Sequence, residues 1–157
     1  MPYQNVSAYI DDSTKQEIIN RLNEISRHLP FLINLTPEER RAIPKMGDKT
    51  IAFVEKAIEF IKANPQLVPP YVDVNELERD FKLAVQFRDI VTLIDSLSEK
   101  ISDTYLAAGS EAYITALAFY NSVKSAAKMN VPGTDTIADE LSERFEKNFK
   151  AKPSQPS

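Results

Sequence analysis

The side chains able to do chemistry in this chain are few, and their types limit what that chemistry is. There is one histidine, His28, and no cysteine. A carboxylate-bridged di-metal centre in a helical protein needs glutamates from four helices and two Glu-x-x-His motifs, which a single histidine cannot supply. His28 does have Glu24 one turn before it, enough for a single-metal site only if another helix completes it. The plainer reading places the imidazole near a helix end, where a cation favours the negative end of the helix dipole. We assign no metal ligand and no cofactor on sequence grounds. Hydrolytic triads fare no better, since any Ser-His-Asp arrangement would have to use His28 and no G-x-S-x-G elbow is present to expose a serine. No catalytic residue is assigned.

Two further clusters merit weighing as binding sites. Arg40, Arg41, Lys45 and Lys49 gather before a helix start, where backbone N–H groups add positive potential. They are a candidate anion site, set against a solvated loop whose charges pair with Glu38, Glu39 and Asp48. The neighbouring Gly47-Asp48-Lys49-Thr50 falls short of a phosphate-binding P-loop, because aspartate separates the glycine from the lysine and no strand precedes it. The second cluster is Arg88, Asp95, Tyr105, Glu111 and Tyr113. If two helices fold back on each other between Arg88 and Glu111, these five line a pocket suited to a small polar ligand. The alternative is ordinary ion pairing at helix flanks, with tyrosine rings buried and their hydroxyls in water.

The elements that position these residues follow from the punctuation. The 157 residues include 10 prolines and 3 glycines. From Tyr71 to Val131 there is no proline and only Gly109, so the turns that an antiparallel sheet requires have no residues to make them. Ile18, Leu22, Ile25, Leu29 and Leu32 predict a first helix, capped by Asp12 or Ser13, with Pro30 imposing a kink or an early end near Leu29. Thr36 before Pro37 predicts one short helical turn. Ile51, Val54, Ile58 and Ile61 predict a helix from Asp48 to just before Pro65. A third long helix begins at Asp73, with Glu76 three residues on as in a capping box, and carries Leu77, Phe81, Ala84, Phe87, Val91, Ile94, Leu97 and Ile101. A fourth carries Tyr105, Ala108, Ala112, Ala116, Phe119, Val123 and Ala126. We expect the turn between them at Ser102 and Asp103, which makes two matched helices of about 42 Å; a turn at Gly109 is the alternative. With the turn at Ser102, Gly109 is helical and costs up to about 1 kcal/mol relative to alanine, unless a neighbouring backbone needs the space. A last helix, Thr134 to Phe149, sets Ile137, Leu141, Phe145 and Phe149 along one side.

The expected fold is therefore all-α, an antiparallel up-and-down four-helix bundle with an additional shorter C-terminal helix. It forms a single domain over residues 1–150, with a disordered tail at 151–157. Bulk composition narrows the partners. The formal charge of -4 and a pI near 5.1 give no general attraction to a phosphate backbone, so nucleic acid is not expected. No run approaches the ~18 apolar residues of a membrane span, and the N-terminus has neither the basic nor the apolar region of a signal peptide. We expect a cytoplasmic protein and no membrane contact.

The stretches ERRAIPKMGDKTIAFVEKA, NPQLVPPYVDVNELERD, GSEAYITALAFYNSVKSAAK and NVPGTDTIADELSERF resemble a group of small bacterial helical proteins with no assigned activity. That resemblance implies a helical bundle in a bacterial cytoplasm and carries over no catalytic residues. The function expected from the residues is non-enzymatic, through an unidentified protein partner or a homo-oligomer, with the apolar side of the last helix as the docking surface. Binding of a small polar ligand by the Arg88 to Tyr113 cluster is the alternative.

Overall fold

Among the residues described, 4–150, with side chains through Lys147, a computed structural model contains helices and no strand. Five α-helices follow in order: α1 Asp12–His28, α2 Pro37–Ala42, α3 Asp48–Ala63, α4 Val74–Lys128 and α5 Thr134–Lys150, with a 3-10 turn at Pro65–Leu67 after α3. The all-α class read from the sequence holds. The disordered tail expected at 151–157 lies outside the described residues.

Local chemistry sets most of the boundaries. Asp11, one residue ahead of Asp12 and two ahead of Ser13, the expected caps, accepts from the Thr14 N–H at 2.7 Å and starts α1. Pro30 lacks the N–H that a longer helix would use, and α1 stops at His28. At α2, Thr36 Oγ1 accepts from the Glu39 N–H while the Glu39 carboxylate accepts from the Thr36 N–H, a reciprocal capping box. Asp73 accepts from the Glu76 N–H at 3.0 Å and starts α4. At the other end of α4, Asn130 takes a left-handed φ of 58°. Its N–H donates to Ala127 O and that of Val131 to Ala126 O, the Schellman closure that ends a helix when one residue adopts this conformation. Gly133, at φ 81°, turns the chain into α5.

The expected turn at Ser102 and Asp103 does not form, nor does one at Gly109. The predicted third and fourth helices are one, the 55 residues of α4. Residues that elsewhere promote turns are absorbed by the helix. Thr92, Thr104, Thr115 and Ser125 each donate their hydroxyl to the carbonyl four residues earlier, so they do not compete with the helix for its backbone. Gly109 has no neighbour within 4 Å of where a Cβ would stand, so close packing does not account for it.

Contacts divide the described residues into two units, one of residues 8–98 and one of residues 4–7 with 99 onward. In the first, α3 and the opening turns of α4 run antiparallel. Lys62, late in α3, pairs with Glu78 early in α4 at 3.1 Å, and Asp48 at the start of α3 pairs with Arg88. Ile58 is the buried centre of this hairpin, and Phe81 lines the same hollow. The Phe31 ring, just past α1, lies 6.0 Å from that of Phe87. In the second unit α5 returns along the end of α4. Val123 is buried there, and the Tyr120 and Phe145 rings lie 6.5 Å apart.

Two outcomes follow. Gly109→Ala removes the entropic cost of a helical glycine with nothing to clash against, and should stabilise the chain by about 0.5–1 kcal/mol in thermal unfolding. The backbone N–H groups of Thr14 and Thr36 hold the carboxyls of Asp11 and Glu39 below the ordinary carboxylate range. A folded-state pKa below the unfolded one gives stability that is present above the unfolded value and is lost as pH falls through the folded one. The first turns of α1 and α2 should therefore loosen below about pH 4. Amide shifts of Thr14 and Glu39 followed by NMR will check this, with Asp11→Asn removing the pH dependence at α1.

Candidate interaction surface

α4 carries most of the chemistry-bearing residues, and its continuity decides where they go. The five proposed ligand residues were to face one another across a hairpin; without the turn they lie on separate stretches of a single helix. Arg88 and Asp95 belong to the unit of residues 8–98, and Tyr105, Glu111 and Tyr113 to the other. Arg88 pairs with Asp48, not with Asp95. Tyr105 and Tyr113 are exposed. Glu111 is half-buried and has a structural partner that no local pattern announces. Its two carboxylate oxygens accept from the Val6 N–H at 3.0 and 3.3 Å, tying the N-terminal segment to α4.

The basic cluster is also occupied locally. Arg40 donates to Leu35 O, Arg41 pairs with Glu38 at 3.1 Å, and Lys45 donates to Arg41 O just past α2. Lys49 lies in the first turn of α3, next to an Asp48 already engaged by Arg88. These contacts match the solvated loop better than an anion site. His28 stands with Arg27 in the last turn of α1, at the negative end of the helix dipole. Among the described residues no group of three or more histidine, aspartate or glutamate side chains is placed to hold a metal ion.

Two hollows remain. One, of about 370 Å3, lies in the connection from α3 to α4 and is lined by apolar side chains, chiefly Phe60, Ile61, Val68 and Val72. Its one polar lining residue, Asn64, donates its side-chain amide to Phe60 O. The other, of about 720 Å3, runs between the N-terminal segment and α4 past Val6, Leu106 and Ala107. Ligand sites combine an apolar lining with a few convergent polar groups, and the second hollow is lined also by Gln4, Asp103, Thr104 and Ser110.

What stands out instead is an apolar face left open. Leu83, Phe87, Ile90, Ile94 and Leu97 follow one another at intervals of 4, 3, 4 and 3, the spacing of a helix seam. Four of them, all but Phe87, are 36 to 55% exposed. Their direction follows from the α3 contacts. Leu83 comes two residues after Phe81 and Ile90 two after Arg88, about 200° round the helix, so this face looks away from α3. Val91 and Leu93 widen it, Leu93 being 72% exposed. In α1, Ile18, Ile19, Leu22 and Ile25 are exposed as well. Among the described residues only Ile58 and Val123 form the buried apolar core, in a chain that is 43% hydrophobic.

The apolar side of α5, expected to be the docking surface, is partly taken by its own chain. Leu141 is half-buried and the Phe145 ring meets Tyr120; Phe149 lies outside the described side chains. The expected apolar series of this stretch shares Phe87, Ile94 and Leu97 with the open face and departs from it at Ala84 and Val91, where the open face carries Leu83 and Ile90.

Replacing Glu111 by alanine should free the N-terminal segment. A hydrogen bond to a charged group contributes about 1.5–3 kcal/mol, so amide exchange at Val6 should accelerate roughly tenfold or more, with Glu111→Gln falling between. Comparison of the chain with protein-family models, with curated proteins and with solved structures finds no match.

Proposed function

We propose that the chain is a non-enzymatic bacterial protein of the cytoplasm that acts by protein association, and that the open face of α4 is its contact surface. The observation that carries this reading is the run Leu83, Ile90, Ile94 and Leu97, exposed at seam spacing on the side of α4 away from α3. Apolar surface in water costs about 25 cal/mol per Å2 relative to burial, and contiguous apolar patches of this kind mark interaction sites. Five of the seven ion pairs among the described residues join side chains three or four residues apart on one helix, so they serve that helix rather than a shared site. The net negative charge argues against a phosphate backbone as partner, and no described helix is long and apolar enough to cross a membrane.

This reading also gives the expected antiparallel four-helix arrangement a physical route. One chain contributes the α3 and α4 hairpin, and a facing helical element from a partner completes the layer. Sedimentation velocity over a wide concentration range tests the proposal. The wild-type chain should associate as concentration rises, and Ile94→Asp, which places a charge in the middle of the seam, should weaken association by at least tenfold while far-UV circular dichroism stays helical. Unchanged association in Ile94→Asp would rule out this face as the contact surface.

A further inference from the structure

We infer that the occupant of the open α4 face is the α4 of a second copy of this chain, running antiparallel and centred near Leu93. The inference rests on the association reading above and adds to it the partner and the geometry. It comes from matching the face against itself. In an antiparallel seam the residues at the two core positions meet crosswise. Ile90 then faces Ile94 of the second copy and symmetry repeats the contact, while Phe87, whose ring already meets Phe31 of its own chain, borders the seam.

The flanks decide the direction. With the helices antiparallel, residues on the same flank meet, so Val91 lies opposite Val91 of the second copy, and Leu93 opposite Leu93. With the helices parallel and in register, opposite flanks meet at an offset of five residues. Leu93 would then face Ser98, and Gln86 would face Val91, leaving both apolar flank residues against polar ones. Leu93 is 72% exposed, and only the antiparallel arrangement covers it with apolar surface. Opposed helix dipoles favour the same direction. The six side chains Leu83, Ile90, Val91, Leu93, Ile94 and Leu97 present on the order of 600 Å2 per copy, approaching the ~800 Å2 that each partner buries in an interface of standard size.

The chain has no cysteine, so single introduced thiols report unambiguously. Full-length Leu93→Cys is treated with a short bis-maleimide, and in parallel an equimolar mixture of Leu93→Cys and Ser98→Cys is treated in the same way. Sedimentation of each variant before linking confirms that it still associates as the wild type does. Self-linking at position 93 should exceed mixed linking of 93 to 98 by about tenfold or more, since thiols held face to face react at the millimolar effective concentration of an intramolecular event. Preferential linking of 93 to 98 would establish a parallel pair and overturn the inference. Association without linking at either position would mean a different face or register and would overturn it too, leaving association itself intact. A wild-type chain that stays monomeric at every concentration would overturn both this inference and the association reading.

Discussion

The backbone hydrogen-bond ladder of α4 runs from Val74 to Lys128 without a break, and nearly every other feature of the molecule depends on it. A helix ends where a residue cannot donate, where the backbone turns left-handed, or where a side chain captures the freed groups. Inside α4 none of these occurs. Gly109 keeps a helical backbone, and four hydroxyls bond back to carbonyls of the helix itself. The first residue to leave the helical region is Asn130, and there the helix stops.

Continuity has an energetic cost elsewhere. Two helices folded against each other would bury their apolar stripes mutually. A single helix cannot fold onto itself, so its stripe needs other elements to cover it. Between Val74 and Arg88, α3 covers one side, and at the far end α5 covers Tyr120 and Val123. Leu83, Ile90, Ile94 and Leu97 lie on neither covered side, and between them the Phe31 ring reaches Phe87. Ion pairs do little to offset this, because they are exposed and local, and such pairs contribute about 0–1 kcal/mol each. Arg88 and Asp48 are 55% and 81% exposed, so their pair aligns α3 with α4 more than it stabilises them. What α4 offers for recognition is an apolar pattern rather than a set of charges.

The parts of this structure that were readable in the sequence are those governed by neighbouring residues. Thr36 before Pro37, Asp73 before Glu76 and Pro30 after Leu29 act within a few positions, and the helix ends fall where those residues place them. The lack of proline from Tyr71 to Val131 also pointed to helix throughout. Dividing that stretch in two came from the preference of bundles for matched antiparallel helices, a long-range expectation that no residue at Ser102 or Asp103 enforces. The five-residue polar cluster was expected across that same turn. Glu111 shows the converse. Its partner, the Val6 N–H, is a backbone group far away in the chain, and no local pattern announces such a contact.

The most direct test of the account is therefore the backbone conformation between Ser98 and Ala112, read from 13Cα chemical shifts of the full-length chain in solution. An unbroken α4 predicts helical secondary shifts at every residue of that span, Ser102, Asp103 and Gly109 included. Non-helical shifts at two or more successive residues there would show a turn, return the apolar stripes to each other, and contradict the account at its foundation.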